Sequence, residues 1–174
     1  MRGRTACTVS LVLMVALFLP GPAKGADAGL VGWWKLNEVD GFVASDSSGN
    51  GLDGTLVGDP QWVPGKIGGA LRFGGVRDWV DCGTSPLLDI RDRITMACWV
   101  NVTVFTKPWE AFVTKGDHAY RITASQSGGT CHVGLNGTKV GWFDGKTRVD
   151  GGWHHVAGVY DGTQAILYVD GVAD

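Results

Sequence analysis

The chain has 174 residues, a length that suits one ordinary domain after any targeting segment is removed. Its 15 basic and 17 acidic side chains nearly cancel, so nothing in the charge favours nucleic acid or an anionic membrane surface. We therefore expect no nucleic-acid partner. The 28 glycines indicate many turns, and the eight tryptophans are candidates for an aromatic binding surface.

The N-terminus has the layout of a secretory signal peptide. Arg2 and Arg4 give a basic start, residues 6–19 form an apolar run, and Pro20 is followed by small residues. The apolar run is shorter than the roughly 20 residues that a membrane-spanning helix needs. We therefore predict export and no membrane insertion once the signal is removed.

Two cleavage points fit the small residues that follow, one after Gly25 and one after Ala28. We assign residues 1–25 to the signal peptide and residues 26–174 to the mature domain. The mature domain then has 12 basic and 17 acidic residues, a mild acidic excess. Its expected location is secreted, periplasmic or on the cell surface.

The mature chain keeps three cysteines, Cys82, Cys98 and Cys131. An odd number allows at most one disulfide within the chain, and the spacing does not select the pair. The alternative is that all three are small buried core residues. Both interpretations stay open at this point.

Turn signals are frequent in the mature chain, which contains eight Asp-Gly or Asn-Gly dipeptides. Between them lie short runs rich in β-branched and aromatic residues, and no stretch shows sustained helical periodicity. This pattern predicts an all-β sandwich of two antiparallel sheets. The predicted strands cover Leu30–Leu36, Thr55–Val57, Ala70–Phe73, Trp79–Cys82, Ile94–Asn101, Ala111–Thr114, Tyr120–Ala124, Cys131–Leu135, Lys139–Phe143, Trp153–Tyr160 and Ala165–Val169.

Two hairpins stand out. Asn136-Gly137 is predicted to join the strands on either side of it, and Asp161-Gly162-Thr163 is predicted to form a three-residue loop between two further strands.

Several blocks, in order along the chain, resemble the laminin-G-like jelly-roll family of the concanavalin A-like group, which includes the pentraxins. They are Leu30 to Glu38, the loop Asp46 to Thr55, Gly68 to Phe73, Trp79 to Asp81, Ile94 to Val100, Trp153 to Ala157, Tyr160 to Gly162 and Leu167 to Gly171. The resemblance implies a concanavalin A-like jelly roll. Family members run on for several more strands, so we expect the domain to be incomplete at its C-terminus, with further domains in a longer protein.

The Asp46 loop is the candidate metal site. Asp46 and Asn50 offer oxygen ligands at close spacing, as Ca²⁺ requires, and the resemblance implies a structural calcium ion there. The alternative is that both side chains form Asx turns with their own backbone.

Trp109 is the candidate ligand-binding residue. It lies in the loop-like segment Lys107 to Glu110, whereas most of the other tryptophans fall within strand patterns and are expected in the core. An exposed indole face at this position can stack against a sugar ring.

Catalysis is not expected. Glycoside hydrolases of the same architecture need two positioned carboxylates, and the chain has only two glutamates, Glu38 and Glu110, while its aspartates fall mostly in turns. The sequence favours a non-catalytic exported module that binds an extracellular carbohydrate or protein, with calcium as the candidate cofactor. A structural or adhesion spacer is the alternative, and a glycoside hydrolase is the third reading.

Overall fold

A computed structural model describes residues 7–10 and 29–174. Within these residues the regular elements are strands and a single 3₁₀ turn, Pro86–Leu88. The strands in chain order are β1 (Cys7–Ser10), β2 (Val43–Ala44), β3 (Gly54–Val57), β4 (Gln61–Pro64), β5 (Gly69–Phe73), β6 (Trp79–Asp81), β7 (Ile94–Val102), β8 (Ala111–Thr114), β9 (Tyr120–Ala124), β10 (Cys131–Leu135), β11 (Gly141–Asp144), β12 (Trp153–Tyr160), β13 (Ala165–Val169) and β14 (Val172–Ala173).

The strands form three sheets in which every pairing is antiparallel. The seven-stranded sheet has the order β14-β13-β12-β7-β1-β5-β4. The other two sheets have the orders β11-β10-β9-β8 and β2-β3-β6. The predicted all-β jelly-roll sandwich is therefore confirmed.

One hydrophobic core joins the three sheets. In β7 the buried side chains alternate, with Met96, Cys98 and Val100 fully buried and Trp99 only partly so. Ile122 of β9 and Val133 of β10 belong to the same core cluster. This alternation is the period-2 pattern of strands that have one face packed on a core.

The strand β1 lies within the predicted signal peptide. Cys7–Ser10 is an interior strand of the seven-stranded sheet, where it pairs with β5 on one side and β7 on the other. The remaining residues of the signal assignment, and both cleavage points, lie outside the described residues. Signal removal stays a prediction.

The strand predicted over Leu30–Leu36 is wrong. The segment makes a single bridge, from Trp34 to Asp46, and its backbone turns left-handed at Leu36, where φ is 55°. The Trp33 N–H donates to the Asp46 carboxylate, and the buried Trp34 indole donates to the Leu52 carbonyl. Contacts to a neighbouring loop therefore replace a strand ladder here.

Both predicted hairpins form, with longer loops than expected. Leu135 pairs with Gly141, and Tyr160 pairs with Ala165, so residues 136–140 and 161–164 make the connections. The Asp161 carboxylate accepts hydrogen bonds from the Thr163 and Gln164 amides. This cap lengthens the second loop from the predicted three residues to four.

Two of the three cysteines are core residues, as one of the two interpretations of the sequence predicts. Cys98 and Cys131 are fully buried, and Cys82 is partly buried. Burial raises the pKa of both Cys82 and Cys131 to about 12, so neither thiol ionises readily.

In the part of the chain that the structure describes, no helix is long and apolar enough to cross a membrane.

Candidate aromatic site on the four-stranded sheet

The outer face of the four-stranded sheet gathers polar and aromatic side chains. Register places Gly134 between Arg121 of β9 and Trp142 of β11, and it places His132 opposite Asp144. Side chains alternate between faces along a strand, so these residues share the face opposite to that of the core residue Val133. We call Trp109, Arg121, His132, Trp142 and Asp144 the outer patch.

His132 is the centre of the outer patch. Its ring is almost fully buried, with 1% exposed, although it lies on the outer face. Its Nδ1 is 2.7 Å from an Asp144 carboxylate oxygen, and its Nε2 is 3.5 Å from an Arg121 guanidinium nitrogen. The carboxylate is an acceptor, so Nδ1 carries a proton and the ring orientation is fixed.

Two tryptophans cover this histidine. The Trp109 ring stands nearly perpendicular to the His132 ring at a centroid distance of 4.8 Å, and the Trp142 ring lies 6.0 Å away. Trp142 is 67% exposed and Trp109 is 44% exposed, so both keep an indole face open to solvent. Their packing on a buried, hydrogen-bonded ring restrains both indoles before any ligand arrives.

Trp109 is held in an unusual backbone conformation. Its φ of 63° lies in the left-handed region, where a bulky side chain pays a steric cost. The adjacent Glu110 carboxylate accepts hydrogen bonds from the Thr106 amide and hydroxyl, which closes the loop around the tryptophan. Such strain persists only where the surroundings impose it, and it is concentrated at binding and catalytic sites.

Arg121 supplies the positive charge of the outer patch. One terminal nitrogen forms an ion pair of 2.8 Å with Asp117, whose side chain is 87% exposed. The side chain lies across Gly134, where an added Cβ would come within 2.9 Å of the arginine Nε. Glycine at this position therefore makes room for the arginine beside His132.

This arrangement is suited to binding a flat, hydroxylated ligand. Exposed indole faces stack on apolar ring surfaces, and the flanking guanidinium and carboxylates offer donors and acceptors to hydroxyl groups. The two glutamates have local roles instead, since Glu110 closes the Trp109 loop and Glu38 accepts from the Ser45 amide. They do not meet in the outer patch.

The structure places the predicted residues in separate regions. Trp109 lies in the outer patch and is exposed, and its role as a ligand contact stays a prediction. Asp46 and Asn50 lie in the loop before β3. The strand pattern of Trp142 predicted a core residue, and this was wrong. A pattern of alternation does not say which face of a strand points inward.

The Asp46 carboxylate is already saturated by protein donors. One oxygen accepts from the Trp33 and Ser48 amides, and the other accepts from the Ser48 hydroxyl and the Leu52 amide, at 2.7–3.0 Å. Burial by itself raises the pKa of this carboxyl, but these hydrogen bonds outweigh it and lower the pKa. The Asx-turn alternative describes this geometry.

Asn50 is also engaged, because its amide nitrogen donates to the Leu30 and Val31 carbonyls. Among the described residues, no group of three or more His, Cys, Asp or Glu side chains is placed to hold a metal ion. As folded here, the loop does not fit calcium unless Asp46 exchanges its hydrogen bonds. Calcium binding stays a prediction.

A second concave feature was not foreseen from the sequence. A cleft of about 670 Å³ lies between the edge strands β6 and β8, and its walls include Trp79, Phe112 and Tyr120. Trp79 is 52% exposed there. The cleft adjoins the outer patch, because Thr106, Lys107 and Glu110 of the Trp109 loop line it, while Trp79 itself belongs to β6.

One family comparison gave a match. The family described as Concanavalin A-like lectin/glucanases superfamily matches residues 73–174, which cover the segment from the end of β5 onward and contain the whole outer patch. Comparisons with curated proteins and with solved structures found no match.

Proposed function

Because the chain belongs to the concanavalin A-like lectin/glucanase superfamily, we propose that it is an exported, non-catalytic module that binds an extracellular carbohydrate. Domains of this family are often binding modules, and many bind extracellular ligands. The ligand surface is the outer patch. The observation that carries the proposal is the pair of exposed indoles, Trp109 and Trp142, packed on the buried His132.

The chemistry of the outer patch favours a sugar over a peptide. Indole faces and bidentate polar groups recognise a ring that has one apolar face and a rim of hydroxyls. Arg121 lies beside His132 and has guanidinium nitrogens besides the one that pairs with Asp117, so it suits sugars that carry hydroxyl or carboxylate groups. A protein ligand remains the alternative within the same binding role.

The test is titration of the protein with a panel of neutral and uronic-acid oligosaccharides. We expect Trp142→Ala and Trp109→Gly each to weaken binding at least about tenfold, about 1.4 kcal/mol, because each removes a stacking face. Trp109→Gly relieves the left-handed backbone, which offsets part of the packing on His132 that it loses, so the variant should remain folded by circular dichroism.

The comparison variant is Trp79→Ala, which removes an indole of similar exposure from the adjoining cleft. It should leave sugar affinity unchanged if the ligand lies on the outer patch, and a loss in this variant alone would place the ligand in the cleft. Equal loss of affinity in all three variants would place the ligand elsewhere. A chain that binds no member of the panel, while remaining folded, would favour the structural or adhesion spacer.

A further inference from the structure

The cleft between β6 and β8 is large enough to hold a small organic molecule. Its volume of about 670 Å³ falls within the range of roughly 300–1,000 Å³ that is typical of ligand pockets. β6 is an outer strand of the three-stranded sheet, and β8 is an outer strand of the four-stranded sheet. A molecule bound there would therefore lie between the edges of two sheets.

The floor of the cleft is apolar. Its lining includes side chains of the hydrophobic core that are almost fully buried, namely Trp34, Leu36, Leu88, Phe112 and Tyr120. The Trp34 indole and the Tyr120 hydroxyl already donate to backbone carbonyls. Because these polar groups are satisfied, the floor offers a ligand mainly aliphatic and aromatic surface.

One end of the cleft is unfavourable for an anion. Cys82, directly after β6, and Tyr120 line this end, and burial raises the pKa of each to about 12, with the nearby acids Asp81 and Asp89 adding to the effect. Lys115 also lines this end, but its ammonium forms an ion pair of 2.8 Å with Asp89. An apolar group therefore fits here better than a carboxylate.

Two cations without an acidic partner lie at the opposite end, where β6 and β8 begin. The Lys107 ammonium donates to the Gly75 carbonyl at 3.2 Å, which joins the loop before β8 to the loop before β6. Arg77 lies in the second of these loops and is exposed. Among the residues that the structure describes, neither Lys107 nor Arg77 forms an ion pair, and Lys107 keeps two further N–H donors.

The acids that line the same end are held by other donors. The Asp78 carboxylate accepts hydrogen bonds from the Gly74 and Asp59 amides, and the Glu110 carboxylate accepts from the Thr106 amide and hydroxyl. These bonds keep both carboxylates turned to their own loops. The donors that stay available to a ligand at this end belong to the two cations.

We propose that the cleft binds an alkyl carboxylate, whose chain lies on the apolar floor and whose carboxylate contacts Arg77 and Lys107. The cations at one end and the apolar surface at the other fix the direction of the chain. Trp79, 52% exposed at the edge of the cleft, adds a flat wall for the chain to pack against. The proposal and its test are independent of sugar binding by the outer patch.

An extended peptide is the alternative occupant, and the strand edges fit it less well. β6 has three residues and β8 has four, and the pairing of β8 is shifted between Ala111 and Val113. Short and irregular edges offer few backbone hydrogen bonds to an added strand.

The test is calorimetric titration of the full chain at pH 7 with decanoate, decanol and decyltrimethylammonium, each below its critical micelle concentration. The three molecules share one alkyl chain and differ in the charge of the head group. We expect decanoate to bind at least about tenfold more tightly than the other two. Arg77→Gln combined with Lys107→Gln should reduce the affinity for decanoate to that for decanol. Equal affinity of the wild type for the carboxylate and the ammonium would overturn the proposal.

Two further variants locate the chain. Trp79→Ala removes one wall of the cleft, and Ala111→Trp fills the cleft from the exposed edge of β8, so each should weaken decanoate binding at least about tenfold. Trp142→Ala, outside the cleft, is the control and should leave the affinity for decanoate unchanged. Circular dichroism checks that each variant is folded. Absence of decanoate binding to the wild type, or unchanged affinity in folded Ala111→Trp, would overturn the proposal and favour the peptide.

Discussion

Single side chains set the character of the candidate site. Trp109 accepts a left-handed backbone so that its ring stands edge-on to His132, and His132 is fixed in turn by the Asp144 carboxylate. The left-handed backbone of Trp109 costs free energy, and such strain is found mainly at functional sites. Asp46 is a second example of a single residue with a large structural role. Its carboxylate accepts four hydrogen bonds, and the one from the Trp33 amide ties the segment before β2 to the Asp46 loop.

Asp46→Ala is expected to destabilise the protein by about 2–4 kcal/mol, because several partly buried donors lose their charged acceptor. Asp40→Ala, at an exposed position nearby, is the control and should change stability by less than about 0.5 kcal/mol. Chemical denaturation of the full chain, with calcium and with a chelator, measures both variants. If calcium stabilises the wild type but not Asp46→Ala, the ion binds at this loop after all.

At the scale of elements, the hairpin from β12 to β13 shows how a turn is fixed by one side chain. Asp161 accepts hydrogen bonds from the amides of Gln164 and Thr163 and from the Thr163 hydroxyl. These bonds lower the pKa of Asp161 from 3.8 to about 2. In the seven-stranded sheet β12 lies beside β7 and β13 lies beside β12, so this turn supports one half of that sheet.

Asp161→Asn is predicted to change the acid stability of the protein in a defined window. A carboxyl whose pKa is lower in the folded state adds stability above its unfolded pKa, and this stability is lost as the pH falls through the folded pKa. The wild type should therefore melt at a higher temperature than the variant above about pH 4, and the difference should vanish near pH 2. Thermal melts between pH 7 and pH 2 measure it, and a difference that stays constant over that range would contradict the assignment.

At the scale of the whole molecule, the sheets pack across one core, and two glycines lie at close contacts between strands. An added Cβ on Gly158 of β12 would lie 3.5 Å from Ile122 and Val133, an ordinary packing distance. On Gly54 of β3 it would lie only 2.4 Å from the Val80 side chain. The first contact joins the seven-stranded sheet to the four-stranded sheet, and the second lies within the three-stranded sheet.

Gly158→Ala is therefore expected to stabilise the fold, by up to about 1 kcal/mol, because alanine loses less backbone entropy on folding and finds room between the sheets. Gly54→Ala is the matched comparison and should destabilise by about 1–3 kcal/mol through overpacking. Urea denaturation of both variants gives the two signs. Destabilisation by Gly158→Ala would mean that the sheets pack more tightly there than the structure shows.

Turn dipeptides and β-rich runs in the sequence were sufficient to predict the all-β class and most strands, because both signals are local. The family was inferred separately, from the blocks of sequence that resemble it. The same local signals predicted a strand at Leu30–Leu36, where side-chain hydrogen bonds to the Asp46 loop replaced the ladder. They identified Trp109 from its loop context. They missed Trp142, because alternation within a strand does not distinguish the core face from the outer face.

The sequence by itself determined the fold class and the local turns, since glycine, aspartate and β-branched residues act on their own backbone. Only the tertiary structure decided which residues form the outer patch and which strand lies between β5 and β7. Arg121, His132 and Trp142 become neighbours through the register of β9, β10 and β11, and β1 lies between strands more than 50 residues further along the chain. Register and strand order depend on the packing of the whole core, and no local pattern in the chain contains them.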